Sequence, residues 1–258
     1  MGGNMRDVAV LIPTKGRVET LSDMFDRCPE LNTPDTYISI ENEEKELYQK
    51  GRANLFNKCT LVYFDNPGGF ASNAREIIRK AAVVKRYKGY LSTDDNAKFN
   101  SKSLRALLLA FETEQCVMSG MGQPALWHQD AINKGKVYNI NGFQFTTFEA
   151  FSSVHWIIPH HLYREFTYPE NSSNDDVYFA LWAILRKNYT NFRMCLEAKY
   201  SKKRFMPGGH GNNNERLKKM ALSMYQLACD FPEVADNRWM LTKFPFSKII
   251  KFKKEEDK

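Results

Sequence analysis

Two pairs of adjacent carboxylates stand out among the groups able to do chemistry: Asp94 and Asp95 in the run GYLSTDDNA, and Asp175 and Asp176, which follow Asn174. Neighbouring carboxylates on a turn suit a hard divalent cation, and such a cation stabilises a leaving group that gathers negative charge. A carboxylate held near a hydroxyl can instead take its proton as a new bond forms. A third group, His210, lies in GGHGNNN, where the flanking glycines let ring and backbone approach a ligand closely. Imidazole is a plausible ligand for manganese and less apt for magnesium. Each feature also has an ordinary explanation: either acidic pair could cap or open a helix, and a lone loop histidine often has no special role.

The elements that must position these groups follow from hydrophobic periodicity. Val8 to Ile12 is an apolar, β-branched run closed by Pro13, which predicts a buried strand of a parallel sheet. Thr20 to Arg27 has helical spacing, and Thr36 to Ile40 predicts a second strand ending at Glu41. Leu61 to Phe64 is a third strand, the loop Asp65 to Phe70 follows, and a helix with Ala74, Ile77, Ile78 and Ala81 on its apolar face comes next. Tyr90 to Ser92 is a short fourth strand that runs into Thr93, Asp94 and Asp95. Strands alternating with helices predict an α/β fold with a mixed, mainly parallel central sheet, whose ligands sit at the carboxyl ends of the strands. Beyond Ser101 the spacing predicts a helix over Leu104 to Phe111, a strand over Cys116 to Ser119 and an alternating edge segment over Tyr138 to Thr147. Helices are expected over Asp175 to Arg186 and Asn214 to Ala228.

Three segments, VAVLIPTKGR, NPGGFASNAR and GYLSTDDNA, resemble in order and approximate spacing the nucleotide-binding half of GT-A glycosyltransferases of the family 2 type. The resemblance covers Val8 to Phe99 well and the remainder through isolated motifs. It implies a Rossmann-like GT-A domain, a nucleotide-sugar donor, most simply a UDP-sugar, and a divalent metal, Mn2+ or Mg2+. It also assigns roles: Pro13, Thr14, Lys15 and Arg17 around the nucleobase and phosphates, and Glu41 as acceptor for a base edge. Asn66 and Gly69 would allow close backbone approach, and Arg75 would enter as a cation. Thr93 and Asp94 would face the donor, Asp94 at its ribose or a metal-bound water, and Asp95 and His210 would hold the metal. Asp176, with Asp175 as second choice, would be the catalytic base of an inverting transfer.

One domain is expected over residues 1–246, with a donor half of about 7–100, an acceptor half of about 101–246 and a basic tail over 247–258. Five scattered cysteines without a CxxC pair argue against a zinc ribbon or a disulfide framework. No apolar run reaches the roughly 18 residues of a membrane helix, so a cytoplasmic protein without a membrane span is expected. The net charge of +7 favours a polyanionic partner. With GGHGNNNER it resembles phage or base-J type enzymes that glycosylate hydroxymethylated pyrimidines, which implies DNA as acceptor. A glycan or lipid acceptor, nucleotidyl transfer, and non-catalytic binding of nucleic acid are the competing readings; oligomeric state is left open.

Overall fold

The computed structural model describes residues 7–50, 56–123, 137–147, 155–173, 175–202 and 213–234. Among the described residues, ten strands form one mixed sheet: β1 (Val8–Pro13), β2 (Thr36–Glu41), β3 (Thr60–Phe64), β4 (Gly89–Thr93), β5 (Ala97–Lys98), β6 (Val117–Gln123), β7 (Val137–Ile140), β8 (Phe143–Thr147), β9 (His155–Pro159) and β10 (Phe192–Lys202). Their order is β3-β2-β1-β4-β9-β6-β10-β8-β7, with the short β5 paired to β10. The first four are mutually parallel, β9 runs antiparallel between β4 and β6, and β10 returns parallel to β6. Helices α1 (Val18–Arg27), α2 (Lys45–Lys50), α3 (Ala71–Val83), α4 (Ser101–Glu114), α5 (His160–Tyr163), α6 (Asp175–Leu181) and α7 (Asn213–Asp230) connect or cover the strands. A π-helical turn, Trp182–Arg186, continues α6. No helix among the described residues is long and apolar enough to cross a membrane.

Period-two alternation sorts β1 between two cores. Val8, Val10 and Ile12 enter the cluster made with Leu21, Met24 and Phe25 of α1 and Leu104, Leu107 and Phe111 of α4. Ala9 and Leu11 enter the opposite cluster, with Ile78 and Ala82 of α3 and Phe179 of α6. Every residue of β1 is buried, as a parallel strand covered on both faces requires.

The structure adds detail to two expectations. The inner face of α3 is Ala74, Ile78 and Ala82 together with Arg75 and Arg79, while Ile77 and Ala81 lie half-buried beside it. Two arginines can occupy that face because each meets carboxylate there, Arg79 through Glu76 and Arg75 through Asp94 and Asp175. The alternating segment near Tyr138 is a hairpin whose turn, Asn141 and Gly142, has positive φ at both residues, the geometry that matches strand twist in a two-residue connection. Strands β9 and β10 complete the second half, where periodicity alone did not mark them.

Candidate active site at the carboxyl edge

The four parallel strands deliver their carboxyl ends side by side, and the polar residues that follow them meet there. Glu41 ends β2 and is 3% exposed. Its Oε2 is paired with Lys15 Nζ, just past β1, and its Oε1 accepts from Asn66 Nδ2 at 2.8 Å. Asn66 also organises its own loop, donating to Phe70 O at 3.2 Å and accepting from Asn73 Nδ2 at 3.0 Å. Gly69 in that loop has φ of +58°, a left-handed conformation that side chains rarely adopt.

Asp95 is 3% exposed and bridges back to the end of β1. Its Oδ1 faces Arg17 Nη1 at 3.0 Å, and its Oδ2 accepts from Thr14 Oγ1 at 2.9 Å. Tyr48 of α2 supports both partners: its hydroxyl meets Thr14 Oγ1 at 2.7 Å and accepts from Arg17 N at 3.3 Å. Pro13 closes β1 immediately before them. Asp94 turns the other way, to the buried guanidinium of Arg75, whose remaining nitrogens reach Ser92 Oγ and Asp175 Oδ2. Thr93 is fully buried and meets His155 Nδ1 at 3.2 Å.

The helix-cap explanation fails for the first acidic pair. The cap of α4 is Asn100, whose side chain accepts from Ser103 N at 3.0 Å. For the second pair the structure separates two neighbours: Asp175 is 7% exposed and tied to Arg75, whereas Asp176 is half-buried. His210 and Asn174 lie outside the described residues. Tyr48 and Lys219 join the site without any sequence signal of their own; each is one polar residue in an ordinary helix. Lys219 Nζ donates to Gly69 O at 3.3 Å.

Burial and neighbouring charge set the electrostatics. Burial raises the pKa of Asp95, while Arg17 and Thr14 act against it. Burial likewise pushes Asp175 up to about 6 despite Arg75, with Asp176 and Asp94 adding to the rise. For Arg75, burial works to lower the pKa, but Asp175 and Asp94 outweigh it, so the guanidinium stays charged. Burial also opposes the charge on Lys15, and Glu41, Glu43 and Glu44 more than restore it. The edge therefore holds cations and carboxylates already desolvated and paired. Such pairs can exchange partners with a ligand that brings phosphate for the cations and hydroxyls or a metal for the carboxylates.

No family model matches the sequence, and a search of curated proteins finds no match. Solved structures do match the fold. S. aureus TarS 1-349 in complex with UDP-GlcNAc superposes with a TM-score of 0.54 at 12% identity, over 86% of this chain and 66% of that one. A longer S. aureus TarS structure gives 0.56 at 13% identity, over 86% of this chain and 40% of its own length. The mannosyltransferase PcManGT from Pyrobaculum calidifontis, in complex with GDP-Man and Mn2+, gives 0.55 at 13%, over 85% and 63%. The chain thus spans between 40% and 66% of the length of these structures. Likeness at this identity establishes the fold alone, a mixed, mainly parallel α/β sheet of GT-A type.

Proposed function

We propose that this protein is a metal-dependent glycosyltransferase that moves a sugar from a nucleotide-sugar, most simply a UDP-sugar, to an acceptor hydroxyl. The observation that carries the reading is the convergence of Glu41, Lys15, Arg17, Asp94 and Asp95 on one carboxyl edge of a GT-A sheet. The neighbours' bound ligands, UDP-GlcNAc in one and GDP-Man with Mn2+ in another, support a donor of the same class.

Glu41, held from one side by Lys15 and from the other by Asn66, would accept from the nucleobase edge. Asp94 would meet the ribose or a metal-bound water, fixed in place by Arg75. The carboxylate of Asp95 is a hard oxygen donor of the kind that Mg2+ or Mn2+ takes. No group of three or more His, Cys, Asp or Glu side chains among the described residues could hold an ion unaided, so donor and water oxygens would supply further ligands. Held by Asp95, a divalent cation would neutralise the diphosphate leaving group. Asp176 would take the proton of the attacking hydroxyl as its oxygen bonds to the anomeric carbon and the bond to diphosphate breaks, inverting the configuration. Asp175 is committed to Arg75, which favours Asp176 for this task.

Nucleotide release from UDP- and GDP-sugars, followed with Mn2+, with Mg2+ and with chelator, tests the reading. Metal-dependent release of UDP is expected; absence of both turnover and nucleotide binding would sink it. The net charge of +7 supports a polyanionic acceptor, and the acceptor we propose is a hydroxymethylated pyrimidine in DNA. Labelled sugar should then enter DNA carrying that base and not otherwise identical unmodified DNA. Transfer to a glycan or lipid hydroxyl alone would discard DNA as acceptor and leave the transferase reading standing.

A further inference from the structure

The carboxyl-edge network absorbs most of the polar residues singled out in the sequence, but it does not explain why α7 reaches it. Two residues of that helix touch the site's frame. Lys219 Nζ donates to Gly69 O at 3.3 Å and stands over the Phe70 ring, 4.9 Å from its centroid. One turn later Ser223, 1% exposed, accepts from Ser173 N at 2.7 Å and donates to the carbonyl of Lys219 at 2.7 Å. The 171–173 segment is in turn stitched to the start of α3. Ser172 N donates to Ser72 Oγ at 2.8 Å, Ser72 N donates to Ser172 O at 3.3 Å, and Asn171 N donates to Asn73 Oδ1 at 3.0 Å. The helix therefore joins the loop that carries Asn66 and Gly69 to the segment that leads into Asp175 and Asp176.

Gly69 shows how close the lysine comes. A Cβ built there would stand 3.3 Å from Lys15 Nζ and 3.5 Å from Lys219 Nζ, so both ammonium groups converge on one point of the loop. Lys15 is neutralised by Glu41, the residue proposed to read the nucleobase. Lys219 instead spends its charge on a backbone carbonyl and an aromatic face, contacts that fix the path of the loop.

Resting on the proposed function, we infer that Lys219 is a positioning residue for the donor: it fastens the 66–70 loop in the conformation that lets Asn66 hold Glu41 for the nucleotide. Ser223 anchors the helix that presents it. Removing the ammonium leaves the carboxylates and the base in place, so the cost falls on donor binding and not on the chemical step.

The test uses the full-length protein and three measurements: UDP titration by calorimetry, steady-state kinetics with a UDP-sugar, and thermal unfolding. Lys219→Met should raise donor KM and the Kd for UDP about tenfold, the size of one charge-assisted hydrogen bond. Its kcat should stay within about threefold of wild type and its Tm should fall by no more than about 5 °C, with Lys219→Arg restoring affinity to within about twofold. Unchanged KM and Kd in Lys219→Met would overturn the inference. A rise in KM accompanied by comparable falls in kcat and Tm would also overturn it, because the lysine would then merely support the fold. Wild-type protein that binds no nucleotide would remove the proposed function itself, a result distinct from wild-type binding matched by the variant.

Discussion

The two ends of the same parallel strands are finished in different ways. At the carboxyl edge β1, β2 and β4 run into charged side chains matched in pairs: Lys15 with Glu41, Arg17 with Asp95, Arg75 with Asp94. At the amino edge the buried polar groups are mostly aromatic hydroxyls. Tyr87 donates to Asp35 at 2.6 Å and meets the Tyr37 hydroxyl at 3.2 Å, and Tyr90 meets His160 Nδ1 at 2.7 Å. Stability alone does not call for the first arrangement, since desolvating paired charges roughly cancels what the pairs return. Phenols satisfy their few hydrogen bonds at little electrostatic cost. On the proposed function, the contrast is between a carboxyl edge kept ionic for a ligand and an amino edge sealed for the fold.

The sharpest way to break this contrast is to remove charge at the carboxyl edge without changing shape. Asp95→Asn should lower transfer by at least about 10³-fold while the far-ultraviolet circular dichroism stays that of wild type. Near-normal turnover in that variant would mean that the edge is ionic for some other reason. Asp176→Asn should slow the chemical step by roughly 10²- to 10⁴-fold with donor affinity little changed, measured by single-turnover kinetics beside nucleotide titration. A collapse of donor binding would move Asp176 into the donor site.

Arg75 tests the structural side of the ionic edge. Arg75→Met leaves Asp94 and Asp175 buried without their cation, and urea unfolding should show a loss of about 3–5 kcal/mol. The variant should also lose activity, because the two acidic motifs are held through that one guanidinium.

A pH effect with a defined sign comes from His155, which is fully buried below Thr93. Burial lowers its pKa to about 3, against 6.5 for the free side chain. Between those values the unfolded chain carries the extra proton, so stability rises with pH across the window. The contribution is complete above about pH 6.5 and is lost as pH falls towards 3, by up to about 1.4 kcal/mol per pH unit. Unfolding free energies for His155→Gln should be flatter over that range; an identical slope would mean that other groups set it. The smallest effect belongs to the amino edge. Tyr87→Phe should cost about 1 kcal/mol and leave turnover unchanged, as expected where a hydroxyl serves only the fold.

How much of this was legible beforehand differs along the chain. The strands ending at Pro13, Glu41, Phe64 and Thr93 follow from apolar runs and the polar residues after them, and three motifs in register pointed to the fold that the structure has. On α3, Ile77 and Ala81 pack half-buried against the core as expected, but periodicity counts arginine as polar and cannot place Arg75 and Arg79 on the buried face, where carboxylates wait for them. Strand β9 is, like β1, a short apolar run closed by proline, but its antiparallel place between β4 and β6 pairs residues distant in sequence and has no local signature.

By itself the sequence determined the local elements, the parallel order they favour and which acidic residues fall at strand ends, because burial periodicity and turn chemistry act over a few neighbouring residues. Only the tertiary structure decided who partners whom. Arg17 meets Asp95 across 78 residues, and Lys219 reaches Gly69 across 150. It alone committed Asp175 to Arg75 and left Asp176 half-buried beside it. Such pairings follow from the topology that brings distant strand ends to one edge, where a buried charge must find its counter-charge or remain in water.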